Sequence, residues 1–215
     1  MSPRERSSAI FGCVAVVAVC AAFGCSSSDV GAQATAGAGT STDPCAGLVE
    51  PSATSLVPGS KHDAASGGDP DYRAALAALV RARSDVTERE LAFLSQKSTA
   101  EMERDHALRD SGSYSNWRLA QLDLEKVCLE VHEQRLRLLS SAQFRATEIA
   151  RLRKVASALQ QEAALPTDAF RRRHADRMMR FVQEAKQPEQ LLANVKARIA
   201  AATRERDALA KTGQK

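Results

Sequence analysis

Apolar and polar positions divide this chain into an uncharged apolar run, a polar stretch with no period, and a long region of helical period. In the last of these an apolar residue recurs at every seventh place: Tyr72, Leu79, Val86, Phe93, Ala100 and Ala107. Such spacing places side chains on one face of a helix. It predicts a helix over 70–110. The complementary line, Leu76, Arg83, Glu90, Lys97, Arg104, is polar after its first member, so the seam is one-sided. Val80, Leu91, Leu94 and Met102 widen it on a neighbouring face. Asp69 suits the N-cap and Pro70 the first helical position, where its missing N–H costs nothing.

Ser111-Gly112-Ser113-Tyr114-Ser115-Asn116 reads as a turn. Beyond it a second helix is predicted over 117–164. One heptad line runs Trp117, Leu124, Val131, Leu138, Arg145, Leu152, Leu159, and the other Gln121, Cys128, Arg135, Ala142, Ile149, Ala156, Ala163. A seven-residue repeat kept this long implies coiled-coil packing. Unbroken, the helix would be roughly 70 Å long. Leu122, Leu129 and Leu136 add a further apolar line, which implies a second partner helix. Arg135 and Arg145 interrupt the seam, and buried arginines there should be paired or mark an opening. Leu165-Pro166 ends the helix. Helices over 167–187 and 188–212 follow, the first with Phe170, His174, Met178, Phe181 and Ala185 on one face. Pro188 reads as a fresh N-terminus, and Thr212-Gly213 as the end.

Three blocks of similar length predict an all-α fold over 70–212, either a long-helix antiparallel coiled-coil hairpin or a three-helix bundle. The narrow, alanine-rich seams suggest a slender rod. No internal repeat stands out by eye. Composition agrees: of 11 glycines only Gly112 lies between residues 70 and 211. Sheets need frequent turns and β-branched or aromatic residues, so sandwiches, barrels and doubly wound folds are excluded.

Residues 25–69 are rich in Gly, Ser, Pro and Ala without apolar period, and are expected to be a disordered tether after Cys25. The net charge is +4 overall, yet residues 26–69 carry −4 and residues 1–24 carry +1, so the helical region is strongly basic at +7.

The first residues add a location. Arg4 and Arg6 precede an uncharged run from Ala9 to Phe23, too short to span a bilayer and typical of a signal-peptide core. The run ends Ala22-Phe23-Gly24-Cys25. This end resembles a bacterial lipoprotein precursor, with a small residue, Gly24, before the cysteine. The resemblance implies cleavage between Gly24 and Cys25, a diacylglyceryl anchor on Cys25, and export to the cell membrane or outer membrane, facing the periplasm or exterior. It covers about 25 residues and implies nothing about the rest.

Candidate chemistry is sparse. Glu103 and His106 share a helix face, but neither His132 nor His174 supplies a matching Glu-x-x-His pair, so no metal site is expected. No nucleophile, phosphate loop or cofactor motif is present, and no catalytic residue is assigned. Cys128, on the seam, reads first as a small buried hydrophobe. In an exported protein it could instead pair with Cys45, or Cys45 could bridge two chains. Arg171, Arg172, Arg173, Arg177 and Arg180 form the densest charge, a solvated face or a patch for an envelope polyanion, with Arg173, Arg177 and Arg180 on one side. Nucleic acid is not an expected partner.

The expectation is a non-enzymatic, membrane-tethered helical scaffold or adaptor, meeting a protein partner or itself through the coiled coil. The alternatives are a polyanion- or cell-wall-binding envelope protein, or a holdase. Basic long-helix hairpins resemble, in shape and charge, the tentacles of Skp-type periplasmic chaperones.

Overall fold

The computed structural model describes residues 43–49 and 53–213. Cleavage and lipidation at Gly24 and Cys25 lie outside the described residues. Within them the protein is all-α, as the periodicity implies. A short 3₁₀ turn, Ala53–Leu56, precedes α1 (Lys61–Ser66), α2 (Pro70–Leu91), α3 (Leu94–Asp110), α4 (Tyr114–Leu138), α5 (Ala142–Ala163), α6 (Thr167–Ala185) and α7 (Pro188–Thr212).

Local chemistry sets most of the ends. The Asp69 carboxylate accepts the Tyr72 N–H at 3.0 Å, with Pro70 opening α2. Pro188 likewise opens α7. Gly112 takes a left-handed φ of +68° between α3 and α4. A Cβ there would touch nothing within 4 Å, so only the backbone resists a side chain. Gly112→Ala should therefore cost about 1 kcal/mol, read from the urea midpoint at unchanged m-value.

Two long helices of the sequence reading are each bent into two. Block 70–110 bends at Ala92–Phe93, where the Phe93 N–H reaches back to the Glu90 carbonyl at 2.8 Å. No breaker residue marks this bend. Phe93 turns instead onto Phe170 and His174 of α6. Block 117–164 bends at Leu139–Ser141, with Ser141 capping α5 through the Phe144 N–H. The continuous 70 Å helix therefore does not form. Its longer half, α4, is about 37 Å.

The bends change how the blocks pair. Instead of an antiparallel hairpin, the packed partners are α2 with α5, α3 with α6, and α4 with α7. Each pair runs parallel. Asp69 meets Arg145, and Arg89 at the far end of α2 meets the carbonyl of Leu165. Phe93 lies on Phe170 and Arg104 over Phe181. Glu130 meets Arg206, and Leu138 lies against Gly213. In three of these contacts the partner lies 76 residues further along the chain.

That nearly constant offset describes a superhelix. Helices α2, α3 and α4 form a three-sided path whose end returns to its start: Leu139 packs with Tyr72 and Ala75, and His132 lies against His62 of α1. Helices α5, α6 and α7 make a second circuit stacked on the first. The two circuits match in element length, 22, 17 and 25 residues against 22, 19 and 25. Two apolar clusters hold them together. One joins Leu76, Leu79, Leu152 and Ala156 between α2 and α5, the other Leu124, Cys128, Val131, Val195 and Ala202 between α4 and α7.

Part of the expected tether is ordered as well. Residues 43–49 form turns against α4 and α7, and α1 docks beside α4. Alone these segments bury too little to fold. Leu48, Val49, Leu56 and Ala65 gain that burial by resting on the two clusters.

Candidate functional site

The densest polar chemistry gathers where α4 ends and α5 begins, under the N-terminal arm of residues 43–49. Cys45 and Cys128 are joined by a disulfide with Cα atoms 5.4 Å apart. This corrects the first reading of Cys128 as a free buried thiol. The seam position did predict its burial, but the arm brings Cys45 to the same apolar cluster.

Beside the disulfide, Asp43 Oδ2 lies 3.4 Å from both terminal nitrogens of Arg135 and 3.2 Å from Arg151 Nη1. Arg135 also pairs with Glu205 of α7. Arg151 holds the buried Glu148 in two hydrogen bonds of 2.6 and 2.9 Å. Arg198 donates from Nε and Nη2 to the Pro44 carbonyl at 3.1 and 2.9 Å. Next to this cluster the buried His62 ring shares a 2.8 Å hydrogen bond between Nδ1 and the Tyr72 hydroxyl, and faces His132 at 5.3 Å. Burial first, then His132, pushes the His62 pKa down to about 4. Burial and Arg135 hold His132 low as well.

The arginines on the sequence seam are thus paired. Arg135 bridges the arm and α7. Arg145 joins the Asp69 carboxylate at 2.9 Å and donates to the Leu139 carbonyl, left open by the bend, at 2.9 Å. The basic cluster on α6 divides. Arg171, Arg172, Arg173 and Arg180 are exposed, whereas Arg177 turns inward to Glu90 and Glu162. A face shared by Arg173, Arg177 and Arg180 is therefore not present, because α6 uses the Arg177 side to contact α2 and α5. His174, one turn before Met178, is buried against Phe93, and neither ring nitrogen has a hydrogen-bond partner among the described residues. Burial lowers its pKa, with Glu90 opposing.

Two surface features lie apart from the polar cluster. A shallow groove of about 350 Å³ lies between α3 and α6, lined by Ser95, Gln96, Thr99, Ala100, Glu103, Met178 and Val182. His106, three residues beyond Glu103, is exposed outside it. On α4, Leu119, Leu122 and Leu129 are exposed by 61%, 44% and 55%, opposite the buried Leu124 and Val131. Of the extra leucine line Leu136 packs on the α2–α5 cluster. Among the described residues helix α4 does touch more than one helix, α1 and α3 besides α7, but Leu122 and Leu129 stay exposed.

Among the described residues no group of three or more His, Cys, Asp or Glu side chains could hold a metal ion, and no helix is long and apolar enough to cross a membrane. Comparison with known proteins finds no family model, curated protein or solved structure that matches this chain.

Proposed function

We propose that this protein is a lipid-tethered scaffold or adaptor of the bacterial envelope, exported, anchored through Cys25, and acting without catalysis. The observation that supports it best is the leucine row on α4. Three large apolar side chains gathered on the solvent face of one helix are the kind of surface a protein partner covers. They stand on a helix fixed by α7 behind it and by the disulfide beside it, so the row is presented rigidly. Rigid presentation lowers the ordering entropy a protein partner must overcome. The role is geometric, with the lipid setting position and the superhelix setting the direction of the docking face.

Crosslinking in native membranes tests this. The wild-type chain should capture one or two defined neighbours, and Leu122→Glu with Leu129→Glu should lose them while keeping its helical circular dichroism. Recovery of a broad mix of unfolded outer-membrane proteins, equal in both variants, would support the holdase instead. Cys25→Ala should move the protein to the soluble fraction; continued membrane retention would refute the anchor. The polyanion reading draws its support from the exposed Arg171, Arg172, Arg173 and Arg180. It requires that neutralising Arg171–Arg173 abolish binding to anionic liposomes or cell wall.

A further inference from the structure

Three guanidinium groups from three helices converge on two consecutive residues, Asp43 and Pro44. Arg135 of α4 and Arg151 of α5 both reach the Asp43 carboxylate, and Arg198 of α7 reaches the next carbonyl, that of Pro44. Their other partners are unequal. Arg135 has Glu205 and Arg151 has Glu148, so each keeps a carboxylate if the arm departs. The contacts of Arg198 are to the Pro44 carbonyl, with Asp43 acting on it through space. A half-buried guanidinium that aims two N–H groups at one neutral oxygen is better matched by a carboxylate, which takes the same fork with charge.

The arm is held here by contacts of the kind one protein makes with a peptide. Asp43 Oδ1 accepts the Cys45 N–H at 2.9 Å, which folds the segment so that carboxylate and Pro44 carbonyl face the arginines together. Leu48 and Val49 rest on the apolar cluster between α4 and α7. The Cys45–Cys128 bond pins the arm to α4 in addition to the chain that continues into Ala53–Leu56.

We propose that Arg135, Arg151 and Arg198 form a carboxylate-binding cradle for an acidic peptide segment of a partner protein, which residues 43–49 occupy as a tethered resident while the disulfide is closed. The occupant follows from what the cradle already holds: a carboxylate followed by a backbone carbonyl, then small apolar side chains. Opening needs a dithiol reductant. The Cys45–Cys128 S–S bond breaks, an S–S bond forms in the reductant, and its two electrons and two protons leave thiols on Cys45 and Cys128. The resident arm then competes through its hydrogen bonds, its apolar contacts and the effective concentration its own chain gives it, without the covalent pin. This site is separate from the α4 leucine row, so either assignment can fail without the other.

The test uses the full-length chain and a fluorescent synthetic peptide copying residues 40–49 with serine for its cysteine. The chain carrying Cys45→Ser and Asp43→Ala, its helical circular dichroism intact, should bind the peptide at least about tenfold more tightly than the oxidised wild type. Adding Arg198→Ala, or using a peptide with asparagine for its aspartate, should each weaken binding by about tenfold. Equal binding to the oxidised and released chains would overturn the proposal, as would an asparagine peptide that binds as well as its parent. Inorganic phosphate competing as effectively as the peptide would also overturn it, making the cradle a phosphate site. Should the released chain fail to fold, hydrogen exchange in the oxidised protein decides. Arg198→Ala should speed exchange of the Cys45 and Leu48 amides by about tenfold, and unchanged exchange would count against the cradle.

Discussion

Replacing both Cys45 and Cys128 by serine should lower the stability of the folded chain by at least about 4 kcal/mol. The bond closes a sequence separation of 83 residues. For a loop of that size the chain-entropy model gives a little over 4 kcal/mol, because the cross-link removes so many unfolded conformations. The change in packed volume is small. Serine is close to cysteine in volume, and both positions already sit in a formed cluster with Val131, Val195 and Ala202. Two buried hydroxyls would add a further cost in the same direction. The measurement is the urea midpoint of the double variant against the oxidised wild type. A change under about 1 kcal/mol would mean that the two thiols are not bonded in solution and that Cys128 is the isolated apolar side chain its seam position suggests.

The cross-link also shows where periodicity stops being informative. A heptad line says that Leu124, Val131 and Leu152 are buried, and they are. It does not say that the first two face α7 while the third, past a bend, faces α2. Both partners ask for the same apolar spacing, so a change of partner leaves no mark in the pattern. The bend itself was partly legible. Ser140-Ser141 inside a long apolar repeat is a capping signal, and Ser141 does cap α5. The bend at Ala92–Phe93 was not, since Glu90-Leu91-Ala92-Phe93 contains no breaker; tertiary contact of Phe93 with α6 overrides a good helix sequence. The parallel stacking of two matching circuits escaped for a related reason. It is a repeat of element lengths and bends, and can be kept by side chains that share only their apolar character.

The arginines were legible as charge but not as structure. As a count they read as a basic surface, and Arg171, Arg172 and Arg173 are one. Several others staple the corners of the superhelix. A short bend frees backbone carbonyls, and a guanidinium on a neighbouring helix can reach them with several donors at once. Arg145 does this at Leu139, and Arg89 takes the carbonyls of Ala163 and Leu165 at the end of α5 while lying 4.1 Å over the Phe170 ring. Arg177 closes the same corner by joining Glu90 to Glu162. Much of the positive charge therefore serves the fold, which weakens net charge as evidence for a polyanion partner.

Lowering the pH from about 6.5 to about 4 should destabilise the fold by up to about 3 kcal/mol, chiefly through His62. Its ring is buried between α1, α2 and α4, with the Tyr72 hydroxyl on Nδ1 and His132 opposite. Glu148 is the nearest carboxylate in charge terms, but Arg151 already holds both its oxygens, so a protonated His62 would gain little from it. The folded ring consequently titrates near 4 instead of 6.5. Between those values the unfolded chain binds the extra proton and the folded chain does not. Stability is complete above about 6.5, falls as pH drops, and levels off for this group below about 4. His132 is also held low, by burial and Arg135, and adds to the loss in the same sense. Asp69 enters only later. The Tyr72 N–H, with Arg145 assisting, holds its carboxylate below the usual range, so its contribution is lost only as pH falls through the carboxylate region and below. His62→Asn separates these parts. Asparagine can still meet the Tyr72 hydroxyl but does not titrate, so at least half of the loss between 6.5 and 4 should vanish from the urea-midpoint profile while the decline at lower pH remains. A variant whose profile overlays the wild type would show that His62 stays solvated enough to protonate in place, and that α1 is not locked into the corner where α2 begins and α4 ends.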